Sequence, residues 1–162
     1  MGSRKWIFVT SPRNFEICKK YSVYGVSERY EETATKHIDK GDQVFFYIKK
    51  RKRFNGPWEI ASKGKWDESH PAVSEWEGQE KYVIIIPLKP NENIGECNLD
   101  SVFSKLYFIT NRRKCGKGGY SDHFQFSIIS IRDEDFNTIL RETIKTIKLS
   151  NFSSSSNKLT IK

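Results

Sequence analysis

The sequence predicts an α+β domain in which a curved or barrel-like sheet is flanked by helices. β-rich runs outnumber helical segments and do not alternate regularly with them, which favours a sheet with helices packed around it. The length of 162 residues suits one domain. Aromatic residues make up 14% of the chain, so rings supply much of the predicted core.

The N-terminal segment predicts a strand followed by a helix. Residues 6–10 form a β-rich run, and Ser11 and Pro12 follow it. Ser is a good helix cap and Pro suits the first helical turn, so a short helix is expected to end near Tyr21. The segment 24–26 is then expected to be a connector that holds a ring away from the core.

A hairpin with a basic tip is predicted next. Residues 43–48 indicate a strand, and the basic run 49–53 follows it. Asn-Gly is a strong turn signal, so residues 55–57 are expected to close the hairpin and residues 58–61 to form the returning strand.

The second half of the chain mixes irregular segments with strands and helices. Residues 62–80 are polar and without periodicity, which is typical of a functional excursion. Residues 81–88 predict a strand buried on both faces. Residues 98–106 have helical spacing, residues 107–110 indicate a strand, and residues 111–119 indicate a basic, Gly-rich loop.

The C-terminal region predicts a last helix and a tail. Residues 124–129 indicate a strand or a turn, and Asp133 can cap an amphipathic helix that reaches Ile147. We therefore expect a folded domain over residues 1–149 and a flexible Ser-rich tail or linker over residues 150–162.

Several functional classes are disfavoured. No nucleotide-binding loop, metalloprotease motif or nucleophile elbow is present, so the domain is not expected to be an enzyme or to need a cofactor. No apolar run approaches membrane length, which predicts a cytoplasmic protein without a membrane partner. The spacing of the cysteines and histidines predicts neither a metal site nor a disulfide framework: Cys18, Cys97, Cys115, His37, His70 and His123.

A net charge of +8 favours a polyanionic partner, most simply nucleic acid. Two clusters could contact a phosphate backbone, although each alone is typical of a solvated surface. The first cluster comprises Lys49, Lys50, Arg51, Lys52 and Arg53. The second comprises Arg112, Arg113, Lys114 and Lys117.

Three aromatic residues are candidates for stacking on a nucleobase. Trp6 and Trp58 lie in or beside strands, where core packing explains them. Trp66 and Trp76 have charged neighbours, and Tyr24 is expected on a connector. For all three residues, a ring that faces a ligand is therefore an alternative to a ring packed in the core. Near the first helix, Ser11 and Asn14 could bond the edge of a base, while capping alone explains Ser11.

The order of several short segments resembles the EVE domains of the PUA-like superfamily, which also contains the YTH domains that read methylated adenine. The matching segments are Trp6-Ile-Phe-Val-Thr-Ser, Asn14-Phe-Glu-Ile-Cys-Lys-Lys, Val23-Tyr-Gly-Val-Ser-Glu-Arg, Lys40-Gly-Asp, Leu106-Tyr-Phe-Ile-Thr-Asn and Ser121-Asp-His-Phe. The resemblance covers about residues 5–147.

The resemblance implies a strongly bent PUA-like sheet and a pocket that accepts a flipped, often methylated base. Tyr24, with Val23 beside it, matches a position that is usually Trp, and Trp76 matches a second cage wall. Trp66 would be a third wall, and Ser11 and Asn14 match the base edge. Asn111 and Arg112 match a loop that meets the nucleic-acid backbone.

Three functional hypotheses follow, and the first is preferred. It is a non-catalytic reader of a flipped, methylated base, with DNA favoured over RNA and a restriction or defence system as its setting. Similar domains form the N-terminal specificity module of McrB-like restriction GTPases, which implies a fused or associated AAA+ motor as a second partner. The alternatives are a PUA-like RNA-binding module and an enzyme acting on nucleotides, which the missing acid–base groups disfavour.

Overall fold

The computed structural model describes residues 3–78, 80–109, 124 and 127–161. The strands are β1 (Lys5–Thr10), β2 (Val23–Val26), β3 (Gln43–Ile48), β4 (Arg53–Ile60), β5 (Lys65–Trp66), β6 (Ile84–Asn98) and β7 (Ile128–Ile131). The α-helices are α1 (Pro12–Tyr21), α2 (Pro71–Glu75), α3 (Leu99–Val102) and α4 (Asp133–Ile161). Glu28–Tyr30 and Phe103–Lys105 form 3₁₀ turns, and Thr33–His37 forms a π-helical turn.

The seven strands form one curled, mixed sheet, a half-barrel with helices at its sides, which confirms the α+β prediction. The strand order is β2-β6-β4-β3-β1-β7, and β5 also pairs with β6. Strands β1 and β3 are parallel, whereas the other pairs are antiparallel. The parallel pair brings the carboxyl ends of β1 and β3 to the same edge of the sheet.

Alternating residues of the central strands fill a core on each face of the sheet. Phe8 and Phe46 belong to the cluster under α1, whereas Ile7 and Phe45 belong to the cluster under α3 and α4. This division follows from the two-residue period of a strand. Trp6 and Trp58 are also buried, as predicted, at 4% and 5% exposure.

The hairpin between β3 and β4 differs from the prediction in the place of its turn. The turn lies at residues 49–52, and Lys52 takes a left-handed conformation with φ 51°. Asn55-Gly56 lies inside β4, where the register with β6 shifts between Gly56 and Trp58. The Asn55 side chain accepts a hydrogen bond from Trp58 Nε1 at 2.9 Å, so this segment is a buried irregularity of a strand.

The remaining segments support the predicted elements in part. Ile84, Ile85 and Ile86 are buried, as expected for a strand covered on both faces. Tyr107 and Phe108 form a turn instead of the predicted strand, because their amides donate to the buried Asp135 carboxylate at 2.7 and 3.1 Å.

Helix α4 is longer than predicted. It continues to Ile161 through the segment for which we expected a flexible tail. The domain boundary at residue 149 stays a prediction.

Candidate functional site

A pocket forms where the parallel strands β1 and β3 end. Thr10 pairs with Ile48 in the last register position, and the Lys49 amide donates to the Thr10 carbonyl at 3.0 Å. The chain therefore leaves both strands side by side, into α1 and into the hairpin turn. The carboxyl ends of parallel strands are a frequent location for ligand sites.

The pocket has a volume of about 230 Å³. Its lining comes from the ends of β1 and β3, from α1 and β2, from the segment after α2, and from the residue before β7. The lining residues are Val9, Thr10, Ser11, Asn14, Cys18, Tyr24, Gly25, Lys49, Trp76, Glu77, Tyr82 and Ser127. Four predicted base-pocket residues thus lie together: Ser11, Asn14, Tyr24 and Trp76.

The indole of Trp76 is a wall held in place by its neighbours. The ring lies so close to Gly25 that a Cβ added there would be 2.2 Å from Trp76 Cζ3. Tyr82 packs edge-on against the ring with centroids 6.2 Å apart. The ring is 9% exposed and has one defined orientation toward the pocket.

Asn14 fixes the chain next to this wall. Its Nδ2 donates to the Glu77 carbonyl at 2.7 Å, and the Glu77 amide donates to Asn14 Oδ1 at 2.9 Å. Both ends of the amide side chain are therefore engaged by one backbone unit. This geometry makes Asn14 a support for Trp76, and a contact between its second Nδ2 proton and a base edge stays a prediction.

Ser11 caps α1, the structural role that the sequence also allowed. Its Oγ accepts a hydrogen bond from the Asn14 amide at 3.2 Å. The hydroxyl proton remains for a further acceptor, since capping uses the oxygen as an acceptor. A contact between Ser11 and a base stays a prediction.

Tyr24 differs from the exposed ring that the sequence led us to expect. It lies in β2, it is 3% exposed, and its ring stacks on Phe8 with centroids 4.4 Å apart. Its hydroxyl lies 2.6 Å from the Val9 carbonyl oxygen and 3.0 Å from that of Ser127. Tyr24 thus belongs to the core and also lines the pocket, but one face of its ring is already occupied.

Trp66 and Val23 lie elsewhere. Val23 is buried in the core under α1 and is not among the lining residues. Trp66 is exposed beside a different cavity, and it pairs with Ile84 in the register of β5 with β6. Trp76 packs against Gly25, which pairs with the next residue of β6, Ile85. Adjacent rows of a sheet face opposite sides, so Trp66 is not placed to complete a cage with Trp76.

The basic tip, residues 49–53, lies beside the pocket mouth but is not uniform. Lys49 lines the pocket, and Lys50 is exposed on the turn. Arg51 Nη1 is 4.0 Å from Glu16 Oε1. Arg53 Nε is 3.1 Å from Glu96 Oε1, without the alignment of a hydrogen bond. The other predicted backbone contacts, Asn111, Arg112, Arg113, Lys114 and Lys117, lie outside the described residues.

Burial shifts the pKa of two titratable groups that line the pocket. Burial raises the pKa of the Cys18 thiol from 9.0 to about 12, although the neighbouring Trp76 indole has a smaller, lowering effect. Burial also raises the pKa of Tyr24 well above 10.0. Both groups are therefore neutral near pH 7, and Cys18 is a poor nucleophile there.

Neither a metal-binding cluster nor a membrane-spanning helix is found among the described residues. Among these residues, no group of three or more His, Cys, Asp or Glu side chains is arranged to hold a metal ion. None of the helices in the described part combines the length and apolarity needed to span a bilayer.

Several residues that the sequence did not single out contribute to this pocket through their backbone and not through a side chain. Gly25 matters because it lacks a side chain, and Val9 and Ser127 offer carbonyl groups to Tyr24. Tyr82, just before β6, contacts Trp76. The pairing of β1 with β3 would have indicated where the pocket lies, but no local sequence pattern reveals that these strands are parallel neighbours.

The bent sheet and its flanking helices form a PUA-like fold, which YTH domains share. A YTH domain crystallised in complex with m6A superposes with a TM-score of 0.60 at 17% identity, covering 87% of this chain and 83% of that chain. A YTH domain from Zygosaccharomyces rouxii in complex with N6-methyladenosine RNA gives a TM-score of 0.59 at 12% identity, covering 86% and 85%. These similarities establish the shared fold.

The sequence comparison defines the family more narrowly. The EVE domain model matches residues 4–142, and the chain belongs to the EVE domain family. A UPF0310 protein of Pyrococcus abyssi is 29% identical over 143 residues, covering 83% of this chain and 95% of the relative. A UPF0310 protein of Pyrococcus horikoshii is 27% identical over 128 residues, covering 74% and 83%. The resemblance to EVE domains is thus confirmed.

Proposed function

We propose that this EVE domain is a non-catalytic nucleic-acid-binding module whose pocket accepts a flipped, methylated base. The observation that carries the proposal is the Trp76 wall, oriented by its neighbours and placed beside a basic hairpin turn. Stacking of a base on an aromatic ring contributes roughly 1–3 kcal/mol, and nearby lysines add sequence-independent affinity. The bound ligands of the YTH structures with this fold support the choice of a methylated base.

The favoured nucleic acid is DNA in a restriction or defence system of the cytoplasm. Support comes from the resemblance to the specificity modules of McrB-like GTPases, and an AAA+ GTPase motor is the proposed protein partner. The alternative is an RNA-binding module, which the complex of the Zygosaccharomyces rouxii domain with N6-methyladenosine RNA favours. An RNA reader would depend on the 2′-hydroxyl at the flipped nucleotide.

The test is binding of matched DNA and RNA oligonucleotides, with and without methylated A or C, at two salt concentrations. Fluorescence anisotropy should show preference for one methylated form. One methyl group contributes about 0.8 kcal/mol, so the preference from the methyl alone should be about fourfold. Equal affinity for every modification state would contradict the reader function.

Two pairs of variants separate the pocket from general charge. Trp76→Ala should reduce affinity about fivefold or more, whereas Trp66→Ala, which alters an exposed indole outside the pocket, should not. Lys49→Glu should weaken binding more than Lys50→Glu, because Lys49 lines the pocket. Equal effects of the two lysine variants, with no effect of Trp76→Ala, would leave phosphate binding without base recognition.

A further inference from the structure

Trp66 is exposed in a way that the other tryptophans are not. Its exposure is 44%, against 4% for Trp6, 5% for Trp58 and 9% for Trp76. Its Nε1 donates to Glu68 Oε1 at 2.8 Å, so a carboxylate orients the exposed indole. A large ring with a defined orientation on the surface is typical of the anchor residues of protein interfaces.

The indole borders a groove built from two cavities. The first, of about 570 Å³, lies beside Trp66, and the second, of about 350 Å³, extends to His70. Both are lined by Glu68, Lys81 and Val83, so the two cavities adjoin. We call this feature, which runs from Trp66 to His70, the Trp66 groove.

The charge of the Trp66 groove is opposite in sign to that of the whole chain. The first cavity is lined by Glu28, Glu68 and Glu80 against Arg29 and Lys81, in a chain of net charge +8. Arg29 Nη2 pairs with Glu80 Oε1 at 2.9 Å, so these two charges compensate each other and Glu28 and Glu68 remain against Lys81. At physiological ionic strength, exposed charges more than about 8 Å apart are largely screened. A ligand in the Trp66 groove is therefore affected mainly by the carboxylates of the groove and not by the net charge of the chain.

From these contacts we propose that the Trp66 groove is a docking surface for a partner-protein segment that presents an arginine. The guanidinium lies over the indole face and pairs with the Glu68 carboxylate. A planar guanidinium can stack flat on a ring and make two parallel hydrogen bonds to a carboxylate, a geometry that an ammonium group lacks. Phosphate groups meet repulsion from the same carboxylates, which separates this surface from the base pocket.

The chain contains an internal example of this contact. The guanidinium of Arg132 lies 5.4 Å from the centroid of Tyr107, another exposed ring. Because Arg132 already contacts that ring, Tyr107→Ala is a suitable control for loss of an exposed aromatic residue.

Calorimetric titration of the full chain with a tetra-arginine peptide at physiological salt tests the proposal. Trp66→Ala should weaken binding about fivefold, since a cation over an exposed ring contributes a factor of about two to five. Glu68→Gln keeps an acceptor for Trp66 Nε1 but removes the charge, and it should weaken binding about threefold. Tyr107→Ala and Trp76→Ala should bind like the unmodified chain, so failure of the base pocket leaves this result untouched.

Three results would overturn the docking surface. Trp66→Ala could bind the arginine peptide as well as the unmodified chain does. A tetra-lysine peptide could bind equally well, which would exclude selection of the guanidinium. Trp66→Ala could lose affinity for single-stranded oligonucleotides, and the groove would then be a nucleic-acid platform.

Discussion

At the scale of single residues, the reciprocal pair between Asn14 and Glu77 makes a sharp prediction. In Asn14→Asp the carboxylate can still accept from the Glu77 amide, but the donor to the Glu77 carbonyl is lost and two oxygens face each other. We expect a loss of about 1–3 kcal/mol in the free energy of unfolding, measured by urea denaturation. Affinity for all bases should fall together, because the Trp76 wall is displaced.

Two comparisons show whether Asn14 acts by positioning the Trp76 wall or by contacting the base directly. Ser11→Ala removes the cap of the same helix and should cost about 1 kcal/mol, while the Asn14–Glu77 pair still holds the Trp76 wall in place. If Asn14→Asp instead changes the preference among bases while total affinity is kept, Asn14 contacts the base directly and the supporting role is wrong.

A second residue-scale prediction concerns Gly25. In Gly25→Ala the new methyl group would lie 2.2 Å from Trp76 Cζ3, so the indole must move. We expect about 1–3 kcal/mol of destabilisation from overpacking, together with reduced base binding. In a Trp76→Ala background the same substitution should cost little, and urea denaturation of the four proteins of this double-mutant cycle measures the coupling. An equal cost in both backgrounds would show that the contact does not constrain Gly25.

At the scale of elements, α1 and β2 contribute two buried titratable groups, Cys18 and Tyr24, whose pKa values are raised in the folded chain. The pKa of Cys18 is raised by burial to about 12, and that of Tyr24 is raised well above 10.0 for the same reason. The unfolded chain loses the Cys18 proton above about pH 9 and the Tyr24 proton above about pH 10, while the folded chain keeps both. The free energy of unfolding should therefore fall as the pH rises from 9 toward 12, by up to about 1.4 kcal/mol per pH unit for each group.

Urea denaturation between pH 8 and pH 11 measures this loss. Cys18→Ala removes one of the two groups and should make the decline shallower, although the variant is less stable at every pH. A decline that is identical in Cys18→Ala would assign the alkaline loss to other groups. The same measurement therefore tests whether the thiol under Trp76 stays protonated in the folded chain.

The elements also show what sequence patterns can and cannot predict. Strands β1 and β3 and the start of α1 follow from local signals, namely β-rich runs and a Ser-Pro cap. The turn signal at Asn55-Gly56 fails because tertiary contacts hold this segment inside β4. Exposure of Trp66 was open to prediction from its charged neighbours, but its separation from Trp76 depends on the register of three strands.

At the scale of the whole molecule, we expect folding to depend on the part of α4 that precedes the proposed domain boundary at residue 149. A Cβ added at Gly95 of β6 would lie 2.7 Å from Ile147 Cδ1, and Phe136 and Ile139 are buried. A chain ending at residue 149 keeps these contacts, and we expect its thermal unfolding to stay cooperative with a midpoint within a few degrees of the full chain. A chain ending at residue 138 loses Ile139 and Ile147 and should not fold. Circular dichroism distinguishes the outcomes, and a large drop in the longer fragment would move the boundary beyond residue 149.

The lining of the base pocket has a practical consequence, because it is drawn from residues as far apart as Val9 and Ser127. No short fragment contains the pocket, so a ligand there binds the folded chain and not the unfolded one. A ligand at one hundred times its dissociation constant adds about 2.7 kcal/mol to the free energy of unfolding. For a domain of this size that corresponds to a rise of roughly 5–10 °C in the melting temperature. A thermal-shift screen of modified nucleosides, without labels or assumed chemistry, can therefore identify the base that this pocket accepts.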